Sequence, residues 1–153
     1  IEFIGGGRID DAVRARFPLV AQALERSALD FAGTISSTRT RIHTAFADVF
    51  AEHDLLIWPT TPSTAFRHPG EAGYPEEIGG VPLSHPNLDN QRLTEAISHG
   101  GFPAITVPAG WTDDGLPVGL QIAADRGRDD LVLQAAAAFE IARPWAHRKP
   151  PEA

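Results

Sequence analysis

The stretch Gly101-Phe102-Pro103-Ala104-Ile105-Thr106-Val107-Pro108-Ala109-Gly110, with its continuation Gly115-Leu116-Pro117-Val118-Gly119-Leu120-Gln121-Ile122-Ala123, decides the architecture. Residues 104–107 form a short apolar run closed by Pro108, and residues 118–123 form a second. Asp113-Asp114-Gly115 supplies turn chemistry between them, so the segment predicts two neighbouring strands joined by a loop. Upstream, residues 90–99 have the length of a short helix, stopped by Gly100-Gly101 and Pro103. Downstream, a helix is expected after Gly127, with Asp129 or Asp130 near its cap. Its apolar face runs from Leu131 through Ala135, Ala138, Phe139 and Ala142, and Pro144 ends it. Residues 91–143 therefore read as helix, strand, strand, helix.

Further out, Leu55-Leu56-Ile57-Trp58 is a continuous apolar run stopped by Pro59, which fits a buried strand better than a helix of four residues. Six of the thirteen prolines and four of the fourteen glycines lie between Pro59 and Asn90. With no periodicity there, residues 54–90 read as that strand and a long irregular loop, a feature often functional in compact domains. Residues 8–53 are expected to be helical. One amphipathic helix runs from Asp10 to about Phe31, interrupted or started near Pro18. A second begins after Gly33, with Ser36 or Ser37 as cap and Ile42, Ala45, Phe46, Val49 and Phe50 on one face, and ends near His53. The Pro-rich residues 144–153 are expected to form a mobile tail.

Composition narrows the function. The 153 residues are 42% apolar and 22% charged, the balance of a soluble globular protein. No apolar run approaches the roughly 18 to 20 residues of a membrane helix, and no signal-peptide pattern opens the chain, so the expected location is cytoplasmic and no membrane partner is expected. Zero cysteines exclude disulfides and thiolate chemistry. Thirteen basic against twenty acidic residues give a formal charge of −7, which argues against a nucleic-acid partner. The chain holds no methionine and opens at Ile1-Glu2-Phe3, which suggests a piece of a longer protein: a processed chain, a proteolytic product or a cloned fragment.

The inventory for catalysis is thin. No G-x-S-x-G elbow is present, and of the six serines Ser98, in Ser98-His99-Gly100-Gly101, comes nearest to a glycine-rich turn. The single lysine, Lys149, sits between an arginine and two prolines, where nothing would desolvate it into a neutral base. Six scattered histidines, read as surface residues, never reach a metal-binding spacing, and no metal or cofactor is expected. Gly5-Gly6-Gly7 lacks the strand before it and the Gly-Lys-Ser after it that a phosphate loop requires. Asp113-Asp114 and Asp129-Asp130 read as turn and cap residues. No catalytic residue is assigned in this chain.

Three stretches in series nevertheless carry a specific resemblance. Asp54-Leu55-Leu56-Ile57-Trp58-Pro59-Thr60-Thr61-Pro62-Ser63-Thr64-Ala65 resembles the D-h-h-h-x-P-T-x-P-x-x-A segment of amidase signature hydrolases. Residues 101–110 resemble their G-h-P-A-h-x-h-P-x-G segment, and residues 115–122 their G-x-P-h-G-h-Q-h segment. Order and spacing match, and a weaker similarity over residues 39–50 extends the likeness to most of the chain. The resemblance implies an α/β fold, the C-terminal portion of an amidase domain with a mixed sheet flanked by helices. It implies hydrolysis of linear carboxylic amides by a Ser–Ser–Lys triad, cofactor-independent, with the triad in an N-terminal part that these residues do not include. This chain alone would then be inactive, its partners being that N-terminal part and a small amide substrate.

The resemblance also implies substrate-binding residues. In relatives the helix before the G-h-P-A motif faces the substrate, and Leu88, Gln91 and Glu95 take the matching positions at i, i+3 and i+7. The plainer reading makes Leu88 core and the other two solvated. Trp58 lines the same cleft or closes the core. Arg39 matches an arginine that reaches a substrate carboxylate in some relatives, or else forms an ordinary salt bridge. Ser98 stands where relatives often carry asparagine. A reading from another class is a non-catalytic binding or assembly module that uses the loop after Pro59 for a partner. An amidase portion would expose a large apolar surface where the rest packs; a separate module would be closed and mostly polar.

Overall fold

Alternating side-chain direction along three strands organises the fold, because each strand presents one set of residues to each of two helical layers. The computed structural model describes residues 26–66, 75–84 and 89–148. It divides into two compact units, Ile1–Thr40 and Arg41–Ala153. The elements in order are α1 (Ala28–Phe50), β1 (Leu55–Pro59), β2 (Glu77–Ile78), β3 (Val81–Pro82), α2 (Arg92–Gly100), β4 (Ala104–Trp111), β5 (Pro117–Ala124) and α3 (Asp129–Ala142). The main sheet has the order β1-β5-β4, and both pairings are antiparallel. The class is α/β, with helices against an antiparallel sheet.

β5 is the central strand and is buried on both faces, which is why its sequence is nearly all apolar. On one face Ile122 (2% exposed) joins Val107 of β4 and Ala136 of α3, with Leu55, Ile105, Leu120, Phe139 and Trp145 around them. On the other, Ala123 joins Phe50 of α1, Ile97 of α2 and Phe102, with Phe46, Ala47, Leu56 and Trp58 around them. Leu55 therefore serves one layer and its neighbour Leu56 the other, as the continuous apolar run predicts. Full burial of Ile97 and Ile122 contributes about 1.5–3 kcal/mol each.

Several boundaries differ from expectation, each for a physical reason. α1 runs through Gly33 without a break. Its start is at Ser27, whose hydroxyl oxygen accepts the Asp30 N–H at 3.1 Å and donates to the Asp30 carboxylate at 2.5 Å. One glycine costs a helix about 1 kcal/mol, a cost of the size that the Ser27 cap offsets. The helix expected from Asp10 falls, up to residue 25, outside the described residues. β4 continues past Pro108 to Trp111, with a bulge between Pro108 and Gly110. Proline is tolerated because β4 pairs on one side only among the described residues. Inside the expected loop, β2 and β3 form a small hairpin around Gly79-Gly80, whose φ values of 58° and 77° suit a tight two-residue turn. At the other end, Trp145 packs against Phe139 (6.4 Å) and the Arg148 guanidinium lies 4.6 Å from the Trp111 ring, so the tail is held at least to Arg148.

The C-terminal ends of α2 and α3 fall where the glycine pair and Pro144 place them, while α3 starts after Arg128 with no side-chain cap, Asp129 and Asp130 standing in its first turn. Gly101, left-handed at φ 77°, donates its N–H to the Ile97 and Ser98 carbonyls and closes α2. At the start of α3, the Arg128 guanidinium donates to Asp130 at 3.2 Å and holds that carboxyl below the usual carboxylate range. No helix among the described residues is long and apolar enough to cross a membrane.

Two substitutions test this packing. Phe102→Ala removes the ring that touches His43, Phe46 and Phe50 at 4.9–5.7 Å, and is expected to lower the urea-unfolding free energy by about 3–5 kcal/mol. Gly119→Ala brings a Cβ within 2.7 Å of Thr60 Oγ1 and 3.0 Å of Thr106 Cγ2, and is expected to cost about 1–3 kcal/mol in the same measurement. Adding Thr60→Ala recovers part of that loss, since Thr60 Cβ still stands 3.0 Å away.

Candidate substrate-pocket wall

α2 and the strand residues beneath it bring most of the expected site residues together. Gln91 is the residue before α2; its carbonyl accepts the N–H of Thr94 (2.9 Å) and of Glu95 (3.0 Å). Gln91 is exposed and Glu95 half-buried, one turn apart, so the two side chains are neighbours on the helix surface. Just upstream, the buried Asp89 (7% exposed) pairs with the guanidinium of Arg92 and ties the entry of the helix. Leu88 lies outside the described residues.

Trp58 packs on the core, the plainer of its two expected roles, and is tied to α2. The half-buried ring packs against the Phe50, Ile97 and Phe102 cluster, while its indole N–H donates to the Leu93 carbonyl in the first turn of α2 at 2.8 Å. Gln121, directly opposite Trp58 in the β1–β5 register, donates its amide N–H to the same carbonyl at 3.3 Å. A carbonyl can only accept, so the amide nitrogen of Gln121 must be the atom that faces it. Next to this pair the Thr60 and Thr106 hydroxyls are hydrogen-bonded at 3.2 Å, with Thr60 seated over Gly119. Gln121, Thr60 and Thr106 are not among the residues that the sequence singles out. For Gln121 a signal exists: a polar residue inside an apolar, buried strand needs a hydrogen-bond partner.

The remaining candidates stand elsewhere. Arg39 belongs to the smaller unit, exposed, and lines a groove of about 570 Å³ with Phe31, Ala32, Ile35, Ser36 and Thr40. Ser98 is exposed and its hydroxyl donates to the Thr94 carbonyl at 3.0 Å, an ordinary back-bond within a helix. One histidine departs from the expected surface role: His43 is half-buried, stacked on Phe102 at 4.9 Å, and its Nδ1–H donates to the Gly100 carbonyl at 3.0 Å. Among the described residues no group of three or more His, Cys, Asp or Glu is placed to hold a metal. The arrangement offers hydrogen-bonding side chains on a fixed helix edge, suited to orienting a ligand.

The family model "Amidase" matches residues 3–133 of this chain. An acylamidase of Rhodococcus erythropolis is 48% identical over 99 residues, covering 65% of this chain and 20% of that protein. One subunit of a glutamyl-tRNA(Gln) amidotransferase of Listeria innocua is 35% identical over 141 residues, covering 92% of this chain and 27% of that protein. Among solved structures, a bacterial aryl acylamidase of the amidase signature enzymes superposes with a TM-score of 0.74 at 31% identity, over 91% of this chain and 27% of that one. A 6-aminohexanoate cyclic dimer hydrolase in complex with substrate gives 0.69 at 30% identity, over 96% and 31%. The chain thus spans between a fifth and a third of the length of these relatives. With the three sequence motifs lying on β1, β4 and β5 and the family model running through all of them, the chain belongs to the amidase signature family of hydrolases.

Proposed function

We propose that this chain is the C-terminal scaffold and one wall of the substrate pocket of an amide-bond hydrolase. Its Ser–Ser–Lys triad lies in the part of the amidase domain that these residues do not span. In that mechanism one serine attacks the amide carbonyl, the second relays its proton, and a neutral lysine accepts it. The substrate is a small linear carboxylic amide. Gln91 and Glu95 orient its polar groups at the edge of α2, and Trp58 backs the wall from below. Arg39 remains a candidate for a substrate carboxylate.

The observation that carries this reading is a set of exposed apolar side chains on β1 and α3, beside a sheet whose two outer strands each pair on one side only among the described residues. Ile57 on β1 is 53% exposed, and Leu133 and Ile141, two turns apart on α3, are 60% and 83% exposed. Large apolar side chains at such exposure, next to strands that pair on one side only among the described residues, favour a partner surface. The same observation weighs against a closed, mostly polar assembly module. The acidic balance of the chain favours a small amide over an RNA-linked one.

The test is an assay of ammonia or amine release from linear carboxylic amides. The 153-residue chain alone is expected to release none. The same chain expressed with the remainder of its amidase domain is expected to turn over. Hydrolysis by the chain alone would overturn the assignment of the triad, and silence of the assembled protein would overturn the hydrolase reading. In the active assembly Ser98→Ala is expected to leave kcat within about twofold, against the roughly 10⁶-fold loss that follows removal of a serine nucleophile.

A further inference from the structure

We infer that Gln121 and Trp58 act together as positioning residues: their two donors, converging on the Leu93 carbonyl, fix the edge of α2 that carries Gln91 and Glu95. The consequence for substrate rests on the function proposed above; the clamp itself stands on geometry.

Leu93 is the second residue of α2, two positions after Gln91 and two before Glu95, so the tether sits between the two side chains it would place. Trp58 and Gln121 come from different strands but are direct partners in the sheet register, and both reach the one acceptor, at 2.8 and 3.3 Å. The indole nitrogen can only donate, and the Gln121 amide must donate here, so neither side chain has a second way to satisfy this contact. Gln121 is 4% exposed, and a buried amide is costly unless bonded. Leucine would fill that volume without the cost. A hydrogen-bonding residue there specifies where the helix lies as well as that it packs.

The other end of α2 is fixed differently. Ile97 is 1% exposed, Phe102 folds back beneath Gly100, and His43 donates to the Gly100 carbonyl at 3.0 Å. With the clamp removed, α2 keeps this anchor and the local Asp89–Arg92 pair at its entry, but loses its hydrogen bonds to the sheet and pivots more readily about the packed end. From Ile97 back to Gln91 is about 9 Å along the axis, so a pivot of about 6° moves Gln91 by about 1 Å. A displacement of that size near a substrate can cost up to about 100-fold in rate.

The experiment pairs two readouts on Gln121→Leu, Trp58→Phe, the double variant and Ile97→Val as a packing control. Amide hydrogen exchange in α2 is measured on the 153-residue chain, and KM and kcat for a linear amide on the assembled amidase. The clamp predicts that the double variant speeds exchange of the Thr94 and Glu95 amides by about tenfold or more, beyond either single change. It predicts KM raised by roughly five- to tenfold with the smaller change in kcat, whereas Ile97→Val, which thins the packed anchor, speeds α2 exchange less than the double variant and leaves KM unchanged. Unchanged α2 exchange in the double variant overturns the clamp. Faster exchange with unchanged KM overturns its role in placing the wall. An assembled wild type that hydrolyses no amide defeats the proposed function and that role with it, while the exchange data still decide the clamp.

Discussion

The rest of the larger unit depends on the two-sided burial of β5. Its backbone is hydrogen-bonded to β1 on one side and β4 on the other, and its side chains alternate between two helical layers. Ile122 points to α3; Gln121 and Ala123 point to α1 and α2. A slip of one residue in either pairing would exchange these sets, sending Gln121 into the apolar layer with α3 and Ile122 against the Leu93 carbonyl. Register and site geometry are therefore one constraint.

The same constraint fixes where α2 lies. The helix has an apolar underside dominated by Ile97, which the aromatic group of Phe46, Phe50 and Phe102 receives. Its C-terminal end closes tightly because Gly100 lies against Phe102, where a Cβ would approach within 2.9 Å. Its N-terminal end carries the polar attachments: the Asp89–Arg92 pair and the donors from Trp58 and Gln121. A helix held by packing at one end and by hydrogen bonds at the other presents its exposed edge in a defined place, which is what side chains that orient a substrate require.

Much of this is legible in the sequence. The two apolar runs of the hairpin, the Gly-Gly stop of α2 and the run from Leu55 to Trp58 each follow from local rules, and the motifs they carry lead to the family. What escapes has a non-local cause. Gly33 does not break α1 because its cap lies six residues earlier at Ser27. Pro108 does not end β4 because the strand is unpaired on one side among the described residues, and no local pattern reveals that. The Trp58–Gln121–Leu93 contact joins residues 28 and 35 positions apart in sequence, so only the register shows that one carbonyl serves both donors. Of the site residues, Gln91, Glu95 and Trp58 come together around α2, whereas Arg39 lies in the other unit.

We propose that the rest of an amidase domain covers the exposed apolar side chains of this scaffold. The most direct measurement is hydrogen exchange over β1 and α3, comparing the chain alone with the chain assembled with the remainder of its amidase domain. The account predicts added protection over Leu55–Pro59 and around Leu133 and Ile141 in the assembly. Identical exchange in the two states would contradict it.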